Sequence, residues 1–398
     1  MRVCFFNRSY WPDTGATGQL LTELAEDLVA RYGYEVTVIT GRPVGEGGVP
    51  AREVRNGVRI IRAAGTTWSP RRFAGRASNY VTYFLSALIA GLRVPRPDVV
   101  VAMTDPPIIG LAALASKRGG RFVFICQDIF PEVAALLEDF RSPLVDRVLD
   151  AVNRFLVRRA DRIVALGDTM ARRLVEGKGA DPARIAIIHN WADTSAIEPA
   201  AKPNPFSTAH GLDGVTVVLH AGNLGMSQNL DVVIDAAARL ADRPDIVWLF
   251  IGDGSRRAAL EDAVGARRLA NVRFLPFQPR DQLRWTYATA DICLVSLRPG
   301  LAGYIVPSKL YPILAAGRAY VAAVEADSEV AALTRAHGAG VLVEPGDAGA
   351  LAGAVRALAD DAERRVQMGV RARALSDLYS RERQVAAHAA LLREVAAP

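Results

Sequence analysis

Short β-rich runs alternate with helix-period segments from one end of this chain to the other, and that alternation leaves little choice of fold. Strand-like runs occur at 2–7, 35–40, 58–62, 98–102, 121–126, 162–166 and 184–188, with helical patterns such as QLLTELAEDLVARY (19–32) between most of them. A proline-rich stretch, EPAAKPNPF (198–206), then reads as a linker. After it the alternation restarts at 215–220, 246–251, 272–276, 292–296, 319–324 and 340–344, and from about residue 347 the tail is helical. Strands separated by helices pair in parallel and are covered on both faces. The expectation is an α/β protein of two doubly wound domains, parted at 198/199, with ligand bound in the cleft between them.

The length of 398 residues agrees, being too great for one ordinary core. Half the residues are hydrophobic (51%) and 23% are charged, the balance of a folded globular protein. The net charge of +6 suits an anionic substrate or an anionic lipid surface. No basic–aromatic pattern or known module points to nucleic acid as a partner. Cys4, Cys126 and Cys293 each lie in an apolar run and read as reduced core residues. The five scattered histidines have no metal-ligand spacing, so no metal site is expected. The chain opens on a strand, RVCFFN, with no signal peptide expected.

YVTYFLSALIAGL (80–92) is too short for a bilayer, which takes about 20 apolar residues. It reads either as a core helix or as an interfacial membrane helix. On the second reading Phe84, Leu85, Leu88 and Ile89 share one exposed face, with Arg71, Arg72 and Arg76 close by.

Five stretches carry candidate chemistry. YWPDTGATGQL (10–20) follows the first strand and opens a helix, where small residues let backbone N–H groups face an anion. Gly15 and Gly18 give only G-x-x-G, short of the dinucleotide fingerprint. HAGNLGMSQNLD (220–231) offers Gly222, Asn223 and Gly225, and IGDGS (251–255) offers Gly252 and Gly254. Capped turns are the plainer reading of each, but two such loops after successive strands favour a nucleotide in the second domain. CQDIFPE (126–132) ends a strand in Asp128 and Glu132, placed to orient a sugar hydroxyl or take a proton, or for Asp128 simply to cap a helix. In VPSKLYPILAAGRAY (306–320), Lys309 is one of four lysines, the other 44 basic residues being arginines. A lysine there either supplies a compact point charge for an anion or is a lone surface lysine, while Pro312 occupies the first turn of the following helix.

These segments together resemble glycosyltransferase family 4, the retaining GT-B enzymes, and most of all the branch that builds bacterial exopolysaccharide, colanic-acid and O-antigen units. The resemblance runs from PDTGATGQLLTELAEDL through QDIFPE, RRADRIVALGDTMARRL, IIHNWAD, HAGNLGMSQNLD, LFIGDG, FLPFQPRDQL and ICLVSLRPGLAG to VPSKLYPILAAGRAYVA and VEPGD. It implies an acceptor domain over 1–198, a donor domain over 199–375, and a helix over 376–398 returning to the first domain. Donor contacts then fall to Gly15, Gly222, Asn223, Gly225, Gly252, Gly254, Phe277, Gln278, Ser308, Lys309 and Leu310. Catalytic roles fall to Lys309 on the leaving phosphate and to Asp128, backed by Glu132, on the acceptor. The chain also departs from the family. The two glutamates usual there correspond to Tyr304 and Pro312, and the Arg and Lys usual after the first strand of the second domain are absent.

The function this implies is transfer of a sugar, with retention, from a nucleoside diphosphate (UDP first) to a polyprenyl-diphosphate-linked glycan. No cofactor is expected, and the place is the cytoplasmic face of the plasma membrane. A nucleotide-sugar 2-epimerase of the same fold and a non-catalytic scaffold are the alternatives.

Overall fold

The fourteen strands formed among the described residues fall almost where β-branched and aromatic runs interrupt the helical pattern. The protein is described here from a computed structural model covering residues 1–13, 15–43, 48–66, 68, 73–137 and 142–397, without the side chains of 73, 74, 76 and 137. Strands β1 (Arg2–Phe6), β2 (Glu35–Thr40), β3 (Arg52–Arg55), β4 (Val58–Arg62), β5 (Val99–Ala102), β6 (Arg121–Ile125), β7 (Arg162–Ala165) and β8 (Ile185–Ile187) build one sheet. Strands β9 (Thr216–Ala221), β10 (Ile246–Ile251), β11 (Val272–Leu275), β12 (Ile292–Ser296), β13 (Ala319–Ala323) and β14 (Gly340–Val343) build the second.

The first sheet has the order β3-β4-β2-β1-β5-β6-β7-β8 and is parallel except for β3, which runs antiparallel to β4. That edge hairpin was not expected. Its signal is the Asn56-Gly57 pair, both residues at positive φ (48° and 81°), the geometry a two-residue hairpin turn demands. Central strands are buried on both faces: Phe5, Phe6, Val99–Val101 and Phe122–Phe124 are almost wholly inaccessible. Burial raises the thiol pKa of Cys4 to about 12, and of Cys126 further, so both stay neutral core residues.

The second sheet, β11-β10-β9-β12-β13-β14, is wholly parallel. Its core gathers Trp248, Phe250, Val218 and Val321 under helices Leu230–Ala238 and Ala348–Ala359.

The chain divides into two compact units earlier than the expected boundary at 198. One comprises Met1–His189, Gly303–Ile305 and Gln384–Pro398; the other comprises Asn190–Ala302 and Val306–Arg383. The proline-rich stretch is packed on the second unit and is not a free linker. Lys202 bonds the Val215 carbonyl (2.5 Å) and Asp291 (2.7 Å), and Arg318 donates to the Ala200 carbonyl (2.5 Å). Asn204 caps helix Pro205–Ala209, accepting from the Phe206 and Ser207 amides. The tail also divides later than 376. Ala192 and Tyr379 keep residues up to Arg383 in the second unit through the Ala192 N–H to Tyr379 carbonyl bond (3.1 Å). From Gln384 on, helix Arg381–Ala396 belongs to the first, where Tyr34 donates to the Ala389 carbonyl (3.1 Å) and Arg162 pairs with Glu394 (2.9 Å).

Behind β6, Lys178 is 1% exposed and bonds Glu132 Oε1 (2.8 Å) and Asp150 Oδ1 (2.7 Å). This triad ties helix Glu132–Leu137 to helix Pro143–Arg159. Lys178→Ala leaves Glu132 without its cation, while Asp150 keeps Arg154 (2.6 Å), and is expected to cost about 2–3 kcal/mol, read as a fall in melting temperature. Asn204→Ala removes a buried cap and is expected to cost about 1–2 kcal/mol by the same measurement. Melting temperatures equal to the wild type would show these contacts to be idle.

Candidate active site

In the second sheet the chain winds outward in one direction from β9 and in the other from β12, so the topological switch point lies between those two strands. They pair only at Ile292–Val218 and Cys293–Leu219, although β9 continues to Ala221 and β12 to Ser296. Their C-terminal ends therefore splay apart, which is where open α/β sheets hold ligands.

His220 stands on the splayed end of β9, fully buried beside Phe250, and Lys309 reaches it with 3.1 Å between Nζ and Nε2. Burial pushes the half-buried Lys309 amine down to about 7. Burial and then Lys309 push the imidazole of His220 well below its usual range, so the ring is neutral. The other three lysines each have a carboxylate: Lys117 with Asp161 (3.6 Å), Lys178 with Glu132 and Asp150, Lys202 with Asp291. Lys309 has none among the described residues, so its charge is left to an anion from outside. His220 went unnoticed in the sequence because a lone histidine in an apolar strand reads as core.

The loops around this point are knitted by backbone bonds. Gly222 N–H donates to Ile251 (2.9 Å), Leu224 N–H to Asp253 (2.8 Å) and Gly252 N–H to Leu275 (3.0 Å). A side chain at Gly252 (φ 143°) would put its Cβ 1.9 Å from the Gly222 carbonyl oxygen, and at Gly254 (φ 158°) 2.5 Å from Asn223 Oδ1. Close approach of the two loops therefore explains these glycines without a ligand. Gly225 N–H is taken by Gln228 Oε1 (3.1 Å), while Asn223 is exposed. Phe277 is exposed with its ring edge beside Gly252, and Gln278 turns back to the Pro276 carbonyl (2.9 Å). Ser308 is half-buried. Leu310 departs from its expected part as a donor contact: its side chain is in the core and its N–H donates to Pro307 (3.3 Å). Pro312 is the third residue of helix Leu310–Ala315, a position whose N–H has no intrahelical acceptor, so the proline costs no helix bond. Glu325 Oε2 accepts from the Ala302 N–H (3.0 Å) and braces the loop that leads to Lys309.

The first sheet has its own switch point, between β1 and β5. Arg8 and Ser9 follow β1, Asp105 follows β5, and they meet: Arg8 Nε lies 3.2 Å from Asp105 Oδ1, and Ser9 Oγ donates to Oδ2 (2.8 Å). Asp128, after β6, is half-buried, its N–H on Thr104 Oγ1 (3.3 Å), its backbone bridged to Ile305. Burial, and then the Asp105 charge, raise the Asp128 carboxyl to about 7. Asp105 was missed, although the reasoning applied to Asp128, a carboxylate at the C-terminal edge of a parallel strand, fits MTDPP equally. Glu132 is not a free second carboxylate, being held by Lys178. Gly15 caps helix Ala16–Tyr32, its N–H on Asp13 Oδ1 (2.9 Å), and belongs to the first unit, whereas the other expected donor contacts belong to the second. The Tyr304 ring lies under the Arg173 guanidinium (5.0 Å), and its carbonyl accepts from Ile129 N–H (3.0 Å).

The apolar stripe of helix Phe73–Arg93 differs from the expected one. Val81, Leu85, Ile89 and Leu92 are about half exposed (48–51%), whereas Phe84 and Leu88 turn partly inward. Arg71 and Arg72 lie outside the described residues, as does the Arg76 side chain. Helix Pro143–Arg159 carries a second stripe, Leu144, Val148 and Phe155, flanked by exposed Arg147, Arg158 and Arg159. No helix among the described residues is long and apolar enough to cross a membrane, and no group of three or more His, Cys, Asp or Glu residues is placed to hold a metal.

Residues 15–191 match the Glycosyl transferase 4-like domain, and residues 215–361 match Glycosyl transferases group 1. WcaI of Escherichia coli K12, a glycosyl transferase named for colanic acid biosynthesis, is 28% identical over 89% of this chain and 91% of its own. The sucrose-phosphate synthase of Thermosynechococcus elongatus superposes with a TM-score of 0.81 at 17% identity, over 99% of each chain. HepE of Anabaena, solved with UDP and glucose, gives 0.74 at 16% over 99% of each chain. The fold is GT-B, two Rossmann-like parallel sheets. With both domain families in sequence order on that fold, the chain is a glycosyltransferase of family 4.

Proposed function

We propose that this glycosyltransferase moves a sugar from a nucleoside diphosphate, UDP first, to a lipid-linked saccharide in the synthesis of a bacterial surface polysaccharide, with retention at the anomeric carbon. The observation that carries the reading is Lys309, a cation without a carboxylate, set on neutral His220 where β9 and β12 splay. The relative named for colanic acid synthesis and the neighbour solved with UDP support the polysaccharide and the nucleotide. In the reaction the bond from C1 of the sugar to the β-phosphate oxygen breaks and a bond from C1 to the acceptor oxygen forms. The acceptor proton passes to the departing phosphate. Lys309 meets the charge that develops on that phosphate, and Asp128 orients the acceptor hydroxyl. No step is given to a metal ion, and activity retained in EDTA would agree.

Lys309→Ala is expected to lower turnover on the order of 100-fold, about 3 kcal/mol of barrier, with the melting curve preserved. Turnover at the wild-type rate would overturn its role. The pH profile follows from the two groups near 7. Asp128 must be ionised to accept from a hydroxyl, so kcat/KM falls as pH drops below about 7. Lys309 must be protonated to meet phosphate, so kcat/KM also falls as pH rises above about 7. The expected profile is a narrow bell, and Asp128→Asn is expected to remove its acidic limb; a flat profile between pH 5 and 9 would count against both assignments.

The same reading places the enzyme at the inner face of the plasma membrane, docked through the two apolar stripes. The crossovers β4 to β5, β5 to β6 and β6 to β7 all run one way along the sheet, so their right-handed turns bring helices Phe73–Arg93 and Pro143–Arg159 to one face. Half-exposed Leu and Ile side chains contribute on the order of 1 kcal/mol each on entering lipid, and each flanking arginine about 1 kcal/mol near anionic headgroups. Leu85→Glu with Ile89→Glu is expected to abolish co-sedimentation with anionic liposomes and leave the melting temperature within a few degrees. Undiminished liposome binding would remove this face from the reading.

A further inference from the structure

The diphosphate that the proposed reaction releases carries two to three negative charges near neutral pH, and Lys309 alone, with its amine near 7, is a part-time cation. A second, permanent cation would be needed at the same splayed strand ends. The loop after β9, Gly222–Asn229, contains no basic residue. At the C-terminal edge of β10, Arg256 is committed to Asp231 (2.7 Å), and Arg257 to Glu261 (2.8 Å) and the Gly252 carbonyl (2.6 Å). After β11, Arg280 lies 3.9 Å from Asp193. The turns after β13 and β14, VEADSE and EPGD, hold only acids.

Arg298 is left. It stands two residues beyond β12, on the other side of the switch point, and its N–H donates to the Ser227 carbonyl (2.8 Å). That bond ties its loop to the loop after β9. The residue is exposed, and its guanidinium has no carboxylate partner among the described residues. We propose that Arg298 is a second cation of the diphosphate site, binding the terminal phosphate together with Lys309. The inference rests on the donor reading above. It supplies from the loop after β12 the charge that the loop after β9 lacks. A guanidinium stays charged at any working pH and can take two phosphate oxygens at once, which a lysine cannot.

The test is calorimetric titration of UDP and of UMP into the wild type, Arg298→Ala, Arg298→Lys and, as a control for net charge, exposed Arg239→Ala. The wild type is expected to prefer UDP, which alone carries the terminal phosphate. Arg298→Ala is expected to weaken UDP by tenfold or more, leave UMP within about twofold, and so collapse the preference. Arg298→Lys is expected to restore part of it, and Arg239→Ala to change neither ligand. UDP binding to Arg298→Ala within twofold of the wild type would overturn the inference and leave the donor reading standing. Equal losses of UDP and UMP would also overturn it, since a loop that merely shifts cannot sort the two. A wild type that binds neither UDP nor UMP would instead count against UDP as donor.

Discussion

The separation of β9 from β12 beyond Leu219 and Cys293 is the constraint on which the second unit depends. Two neighbouring parallel strands normally stay paired along their length. Here the chain leaves them in opposite directions along the sheet, so no connecting loop covers the point where they part. The opening exposes one ring of the core, His220, to a side chain arriving from the loop after β12. A charged group could not be left against that apolar wall at low cost. A neutral imidazole can be, and it holds the Lys309 amine without satisfying its charge.

The first sheet repeats the topology with the opposite chemistry. Arg8 and Ser9 hold the Asp105 carboxylate at the β1–β5 switch point, and burial, then the Asp105 charge, raise the carboxyl of the nearby Asp128. Glu132 offers the contrast. It lies four residues from Asp128 in the sequence, yet Lys178 engages it, and it serves packing.

Much of this was legible from residue order. Strand positions followed from β-branched runs, because a strand buried on both faces has few polar residues to confuse the pattern. The β3 strand was lost because its sequence, REVR, carries no apolar run; only the Asn-Gly turn betrays it. The stretch 198–206 looked like a linker because prolines exclude helix and sheet, but the same prolines leave carbonyls and Asn204 free to be bonded by Lys202, Arg318 and the next helix. On helix Phe73–Arg93 the apolar period was right and Leu85 and Ile89 do face outward, but Val81 and Leu92 complete the exposed stripe in place of Phe84 and Leu88. Composition fixes the width of a stripe, but what packs beneath it decides which edge stays in water. The site was legible wherever one loop carried its own signal, as Lys309 and Asp128 did. It was hidden wherever two distant segments had to meet, as His220 with Lys309 and Arg8 with Asp105.

Lys309 stands in a setting unlike that of the other three lysines. Lys117, Lys178 and Lys202 sit against carboxylates. Lys309 faces a ring nitrogen in place of a carboxylate. A guanidinium there would stay charged whatever surrounded it and would carry the full cost of burial with the site empty. An amine near 7 sheds that cost by giving up its proton, and under the proposed function it would take the proton back as phosphate binds. On the proposed function, the residue that meets transient charge is thus of a basic type whose own charge is conditional, as arginine's is not. In a chain with 44 arginines and four lysines, position 309 is where, on the proposed function, that difference has a chemical use.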